Sequence, residues 1–585
     1  MKNQATIGGR SLFFNLLFVL LNIAGLVFIV IGSHPSQEEH FILFNFIGYL
    51  TVLFSIGGIV LFQGKLLMAN IARWLVGSIF IFSGIIKLND PVGFALKLEE
   101  YFQDGALAFR IKEWFNSPGF SLEFLQDYAF LIAVLITFAE LILGVFLIIG
   151  GKIRAVAFYL LGLMLFFTFL TWHSATCDSK TTFWDQNTYS LNDARIQSIM
   201  SNPKKNKSLK VIEKNSNSIV VQEKKKTQCV NDCGCFGDAL KGSVGRSLTP
   251  LESLFKDLIL IYFTIWIFLS RKQIKPNTRN QNIQYLLSFL LIAIFLSVLF
   301  DWYFSIIFSL FLIIGSLWIR RSGGTLLGNY LGSSIFILLS LIVTLIYVLR
   351  NDPIKDFRPF AVGNNLSIKM SDGQDGLYDT QYQIKNLKTS QIKLITQKDY
   401  LGNPEYWDTS KFQILNQNQK EIKPEIPPSL GTQFNPVLNI KDISKSELNL
   451  HSLKAFLSYG TNQNQPSFRD VMLKMNQLVL LVAQDIKSEN LTDFENYKKI
   501  IAYCESNKVP IYLITRCSIE EQQNFKKKFD INIIFLQNYD ENGLKMISRS
   551  DPSMLIIEKG IVKEKYTSYQ IPDIEDLKSI LADKI

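Results

Sequence analysis

Charge is scarce in this 585-residue chain: Asp, Glu, Lys and Arg together make up 19%, where a soluble protein carries about a quarter. Apolar residues take its place, at 48% with 46 Phe, and the mean hydropathy is positive. The shortage excludes a string of roughly four soluble domains, which length alone at about 150 residues per domain would suggest. Cysteine is also sparse, six in all, which excludes a disulfide-framework protein. The net charge of +10 is not a nucleic-acid footprint, because much of it sits in short loops between spans and in one Lys-rich insert. No nucleic-acid partner is expected. A small-x-small cleavage pattern is missing after the first apolar run, and that run is too long for a signal-peptide core, so it reads as a retained span.

The apolar surplus is confined to residues 11–349, while 350–585 has ordinary soluble composition. A hydrocarbon core about 30 Å thick needs about 20 helical residues. Nine stretches meet or approach this: 11–32, 41–63, 68–88, 128–150, 153–172, 254–270, 283–300, 303–319 and 330–349. The expected fold class is therefore an α-helical polytopic bundle of about nine spans in a lipid bilayer, with a tail outside it. Lys2, Arg10, Lys65, Arg73, Lys152, Arg154, Arg271, Lys272, Lys275, Arg279, Arg320 and Arg321 all fall on one side if the N-terminus is cytoplasmic. The loop from His34 to His40 has no Lys or Arg. This orientation puts the cysteine loop and the tail outside the cytoplasm, in the periplasm of a bacterial cytoplasmic (inner) membrane, where thiols are oxidised.

Composition shifts divide the chain into two N-terminal spans (1–67), a membrane domain (68–270), three further spans (271–350), a β-rich extracytoplasmic module (351–460) and an α/β domain (461–585). Within the second, residues 178–226 are rich in Asn, Ser and Lys and are expected to be a disordered insert. Residues 91–127 interleave Phe94, Leu98, Tyr101, Phe102, Phe109 and Trp114 with Glu99, Glu100, Arg110 and Lys112. That pattern suits either helices in the membrane interface or packing onto the bundle. In the last domain the pattern predicts strands at Leu478–Val482, Val509–Thr515, Ile531–Leu536, Met554–Ile557 and Ile561–Tyr566, with helices at 490–506, Ser518–Phe529 and Ile574–Leu581. A βαβαβ run that closes on an antiparallel pair and a helix resembles the thioredoxin-like arrangement, with Asp551-Pro552 where that fold carries its cis-proline.

Three of the six cysteines fall together, in Cys229-x-x-x-Cys233-x-Cys235-Phe236-Gly237-Asp238, with His173 and Cys177 just after span five. The thiolate is the reactive form of cysteine, and three thiols this close can pass a disulfide among themselves. Cys233 and Cys235 are the candidate exchanging pair and Cys229 the resolving thiol. A Cys233–Cys235 bond closes a small, strained ring, whereas Cys229 with either partner is more relaxed. An exchangeable dithiol, a permanent disulfide, and a zinc or copper site using Cys177 or His173 all remain open, although the spacing is not the usual zinc one. In the α/β domain the position after the first strand reads Ala483-Gln484-Asp485-Ile486-Lys487 and lacks Cys-x-x-Cys. Cys504 and Cys517 read as buried filler, so this domain is expected to dock a partner rather than do disulfide chemistry.

An ionisable side chain in mid-span is a functional candidate by default, which singles out Glu140. Arg73 is its expected partner, either as a packing pair or as a proton or quinone site. Lys87 is expected to snorkel outward, and Asp257 to open span six near the surface.

Arg73-Trp74-Leu75-Val76-Gly77, Phe82-Ser83-Gly84-Ile85-Ile86-Lys87-Leu88, Asn89-Asp90-Pro91, Leu96–Phe102, Glu140, Gly144, Phe167–Thr171 and Asp232–Asp238 together resemble DoxX family membrane proteins, above all the MauE-related, methylamine-utilisation branch. The similarity covers about 70–260. The further arrangement resembles Bacteroidetes-type members that fuse the membrane part to a thioredoxin-like tail through a segment such as Arg358–Gly363. It implies a redox-associated membrane component that helps supply disulfides or electrons for maturing exported proteins. The expected function is a thiol/disulfide relay at the external face, coupled through Glu140, Arg73 and a lipophilic carrier such as a quinone. Its partners would be a periplasmic thioredoxin-like protein or an exported client. The alternative is an envelope scaffold with one static disulfide.

Overall fold

The computed structural model describes residues 16–27, 41–61, 64–190, 209–214, 218–230, 236, 239–240, 243, 247–321, 330–373, 376–423, 428–431, 434–439, 443–445, 447–459, 466–486, 494–538 and 540–582. They fall into two compact units, one of residues up to 349 with 353–355, the other of 350–352 with 356 onward.

The first unit is helical. Its described helices are α1 (Leu16–Val27), α2 (Phe41–Leu61), α3 (Lys65–Asn89), α4 (Pro91–Phe102), α5 (Phe109–Trp114), α6 (Ala129–Ile149), α7 (Ile153–Thr176), α8 (Pro250–Ser270), α9 (Arg279–Leu299), α10 (Phe304–Arg321) and α11 (Tyr330–Asn351). Among the described residues seven, α3 and α6 to α11, are long and apolar enough to cross a membrane. In hydrocarbon a helix must satisfy its own backbone, so the ends are where sequence chemistry shows. Asp90 accepts from Gly93 N at 2.9 Å and Pro91 takes the first position of α4, the arrangement in which Pro has no N–H to lose. Thr249 and Glu252 form a reciprocal capping box at the start of α8. Gly150, at φ +71°, ends α6, a left-handed cap that costs glycine little.

Helix α3 packs on α6, α8 and α9, and α7 packs on α8. The α3–α6 seam is close because it is built on glycine. A Cβ on Gly84 would meet Leu141 Cγ at 2.6 Å, and one on Gly144 would meet Gly77 O at 3.0 Å. Small residues at such a seam let two membrane helices approach backbone to backbone. In the 91–127 segment Phe94, Leu98, Tyr101, Phe102 and Phe109 are buried, most of them in one cluster with Phe167 and Leu170 of α7. Packing onto the bundle accounts for these residues, while Trp114, Phe115, Phe124 and Tyr128 stay exposed.

The insert departs from expectation. Residues 178–226 were expected to be disordered, yet β1 (Thr182–Ser190), β2 (Leu209–Lys214) and β3 (Ser218–Lys226) form an antiparallel sheet in the order β1-β3-β2. Its Lys and Asn content masks a period-two pattern that buries Phe183 and Asp185 on β1, and Ile219 and Val221 on β3. Residues 191–208 lie outside the described set.

The second unit holds two sheets. The strands β4 (Leu377–Asn386), β5 (Ile392–Thr396) and β6 (Phe412–Lys423) are antiparallel in the order β5-β4-β6. The five-stranded sheet comprises β7 (Leu478–Val482), β8 (Ile511–Thr515), β9 (Ile534–Gln537), β10 (Ser553–Glu558) and β11 (Ile561–Thr567), in the order β11-β10-β7-β8-β9. Strands β7, β8 and β9 are parallel, and β10 and β11 antiparallel. The Asp551–Pro552 peptide is cis. Strands buried on both faces read as continuous apolar runs, as β7 and β8 do. Leu478, Leu480, Val482, Tyr512 and Ile514 join one core and Val479, Leu481, Ile511 and Leu513 the other. The first core also takes Phe360, Leu366, Leu430, Phe434, Leu453 and Phe456, so residues on both sides of position 460 share it.

Candidate functional site

The buried charge in the bundle is paired differently from the sequence expectation. Glu140 of α6 accepts a hydrogen bond from the ammonium of Lys87 on α3, and each residue is 2% exposed. The ammonium also lies 4.8 Å from the ring centre of Phe94 and 4.3 Å from that of Phe167. Lys87 therefore does not snorkel outward. Side chains on a helix tilt toward its N-terminus, which for Lys87, three places from the Asp90 cap, means back into the bundle. A carboxylate in a low-dielectric interior needs that partner.

The expected Arg73–Glu140 pair is absent from the structure. Arg73 stands about 21 Å from Lys87 along α3, at 1.5 Å per residue, and lies level with Leu147 of α6 rather than with Glu140. Its guanidinium donates to Leu147 O at 2.9 and 3.2 Å, to Asn277 Oδ1 at 2.8 Å and to Tyr285 OH at 3.1 Å. Around it, Asn277 donates to Ile148 O at 2.9 Å and Arg320 to Ile149 O at 2.7 Å. The last carbonyls of a helix have no intrahelical partner and carry its negative pole. Arg73, Asn277 and Arg320 supply that cap for α6.

At the other end of the bundle a series of polar contacts follows α7 toward the cysteines. Phe167, Thr171 and Ser174 share one helix face. Phe167 lies under Lys87. Thr171 donates to Asp257 of α8 at 3.0 Å, and Asp257 pairs with Lys256 at 3.1 Å. Ser174 and Tyr101 share a hydrogen bond at 2.8 Å. Asp257, in the first half of α8, is buried. His173 is fully buried and packs on Phe109 and Tyr101, with ring centres 5.6 and 6.4 Å away.

Above α7, Lys112 binds the carboxylate of Asp185 and lies 3.5 Å from Asp104, while Lys225 reaches Asp185 at 2.5 Å. Burial alone would raise the Asp185 pKa, but Lys112 and Lys225 outweigh it and hold the carboxyl below its usual value. Composition gave no sign of this cluster; the only local signal was Asp185 two places from Phe183 on an alternating strand.

The chain leaves α7 at Cys177 and returns through β3 to Cys229, and these two residues form a disulfide. Cys229 is thus bonded to Cys177 rather than to Cys233 or Cys235, both of which lie outside the described residues. Both bonded cysteines are partly accessible. Val230 is buried in the cluster formed by α4, α6 and α7, and Phe236 packs against the same cluster. The Phe236 ring also packs tilted on that of Phe300, with centres 5.5 Å apart, and lies 5.2 Å from the Lys256 ammonium. Val230 and Phe236, which bracket Cys233 and Cys235 in the sequence, therefore pack on one cluster. Among the described residues no group of three or more metal-ligating side chains occurs.

In the second unit, Cys504 and Cys517 are free and buried, and burial beside Glu505 pushes the Cys504 thiol up to about 12. After β7, the backbone N–H groups of Gln484 and Asp485 donate to the Asp551 carboxylate at 3.0 and 3.2 Å.

These features define a multi-pass membrane protein with an ion-paired helical core and a disulfide at one end of it. Residues 68–173, which carry Lys87, Glu140 and His173, match the DoxX family model. The chain matches no curated protein and no solved structure.

Proposed function

We propose that this protein passes thiol/disulfide equivalents at the external face of a bacterial cytoplasmic membrane, in support of maturing exported proteins. One observation carries the reading. The partly accessible Cys177–Cys229 bond lies at the root of the loop that bears Cys233 and Cys235, and Val230 and Phe236 anchor that loop on both sides. Attack by a thiolate of Cys233 or Cys235 on Cys229 forms a new disulfide and frees Cys177, with no outside oxidant needed for the exchange itself. Net oxidation of a client needs an acceptor for two electrons and two protons, and a quinone of the bilayer is the class the family resemblance implies. Glu140, rather than Arg73, lies on the cysteine side of the bundle for such coupling.

The charge asymmetry of the loops supports a cytoplasmic N-terminus with nine spans, and a periplasmic insert and tail. A disulfide at the root of the insert agrees with an oxidising side. The second unit, whose parallel strands close on an antiparallel pair, reads as a thioredoxin-like domain that has lost its dithiol and serves to dock a client or a redox partner.

The experiment is differential alkylation of all six cysteines in native membranes, before and after mild reductant, with Cys235→Ser beside the parent chain. Exchange predicts reversible redistribution among Cys177, Cys229, Cys233 and Cys235, and an accumulated mixed disulfide in Cys235→Ser at normal abundance. A static tie predicts labels that never move. It also predicts low abundance for Cys229→Ser, since a loop of this length is held by a bond worth about 4 kcal/mol.

A further inference from the structure

His173 is fully buried, and neither of its ring nitrogens has a hydrogen-bond partner among the described residues. A phenylalanine would fill the same space against Tyr101 and Phe109 without leaving polar atoms unpaired, so the unpaired imidazole calls for an explanation, and a redox or catalytic role is one. His173 stands one helical turn before Cys177, the spacing at which side chains on a helix are neighbours. Arg110 donates to both the carbonyl oxygen and Oγ1 of Thr176, at 2.7 and 3.0 Å, directly beside Cys177. Two donors of different kinds thus stand next to Cys177 along the chain, an imidazole four residues before it on α7 and a guanidinium hydrogen-bonded to the residue that precedes it.

We propose that Arg110 and His173 make Cys177 the leaving sulfur of the Cys177–Cys229 bond, an assignment that rests on the exchange reading above. An incoming thiol R–SH loses its proton to solvent, and R–S⁻ attacks Sγ of Cys229. The S–S bond breaks, its electron pair goes to Sγ of Cys177, and the products are R–S–S–Cys229 and a Cys177 thiolate that takes its proton from solvent. Nothing is oxidised or reduced overall. The imidazole N–H donates to the sulfur as negative charge develops there, and Arg110 offsets the negative pole of α7, which by itself would disfavour a thiolate at a helix C-terminus. The lower-pKa thiol leaves faster. The other charged groups on the adjoining segments are Asp178, which follows Cys177, Lys112 with Asp104 and Asp185, and Lys225. Apart from Asp178, they are paired with one another.

The test uses the full chain in native membranes with reduced glutathione as the probe, quenched early and mapped by mass spectrometry. The expected result is glutathione on Cys229 with Cys177 free, and alkylation of the freed Cys177 persisting to lower pH than that of a model thiol. His173→Phe is expected to slow glutathione attack about tenfold and to spread the adduct over both sulfurs, because a neutral ring stabilises no charge. Arg110→Gln should shift the Cys177 alkylation profile upward in pH. If the adduct sits on Cys177 in the parent chain, or if both variants leave the adduct site and the pH profile unchanged, the assignment is wrong while exchange itself survives. If glutathione modifies neither cysteine, the exchange reading falls with it. The adduct site in the parent chain needs no variant, so a variant that fails to fold does not remove the test.

Discussion

Lys87 lies almost at the end of its helix and still turns its ammonium inward to Glu140 rather than outward to water. Two charges leave water to make this contact, so the pair gives little net stability compared with apolar replacements, whereas breaking it strands one charge in hydrocarbon. The single variants Glu140→Gln and Lys87→Met should each cost about 3 kcal/mol, and the double variant Lys87→Met/Glu140→Leu should recover most of that loss. Reversible unfolding in mixed micelles, read as a double-mutant cycle, checks this. Additive losses would mean that the two residues act independently.

Arg73 is a cap in this structure, and its substitution should report on helix α6 rather than on Glu140. Lysine has no planar fork to reach Leu147 O, Asn277 and Tyr285 together. Arg73→Lys should therefore destabilise the bundle nearly as much as Arg73→Met, by about 2–4 kcal/mol for lost buried hydrogen bonds to a charged group. Hydrogen exchange at the C-terminal turn of α6 should rise in both variants, and the Lys87–Glu140 coupling energy should stay unchanged. A changed coupling energy would place Arg73 in the Glu140 network after all.

The two readings of Arg73 and Lys87 show where sequence reasoning reached its limit. The long apolar runs were legible because a bilayer demands about 20 residues of one character, and seven of the nine expected stretches fall in the long apolar helices. The near-continuous apolar strands Leu478–Val482 and Ile511–Thr515 were legible for a similar reason, since burial on both faces selects an unbroken apolar run. Pairing inside the bundle was not. Arg73 and Lys87 are both cations on one helix, and only the register of α3 against α6, which sets Gly84 beside Leu141 and Arg73 beside Leu147, decides which of them meets Glu140. Cys177 and Cys229 are separated by 52 positions, and the sheet that brings them together lay in a segment whose composition looked disordered. His173 was noticed only as a metal ligand, because a missing hydrogen bond leaves no trace in a sequence.

The glycine seam offers a graded test of α3–α6 packing. A Cβ at Gly84 would overlap Leu141, whereas one at Gly162 on α7 would meet nothing within 4 Å. Gly84→Ala should lower the unfolding free energy by about 1–3 kcal/mol through overpacking, and Gly162→Ala should be neutral or slightly stabilising through helix propensity. Thermal unfolding of the detergent-solubilised chain separates the two. Equal effects would show that the α3–α6 approach is not limiting.

In the second unit, Asp352 and Asp356 surround two cations. Arg358 reaches Asp356 at 2.7 Å and Asp352 at 3.2 Å, and Lys565 reaches Asp356 at 2.7 Å. Burial would raise both carboxyls, but Arg358 and Lys565 outweigh it and hold both below the usual range. The folded values lie below the unfolded value of about 3.9, so the folded state binds fewer protons. The resulting stability is complete at neutral pH and is lost as pH falls below about 4 through the folded values. Asp356→Asn should therefore destabilise this unit by about 2–3 kcal/mol at pH 7, with the difference from the parent chain shrinking at pH 3. Hydrogen exchange of peptides from β10 and β11 in a denaturant series, run on the full chain at both pH values, measures that difference directly. A gap that widens on acidification would show that the carboxylates are not what the two cations hold in place.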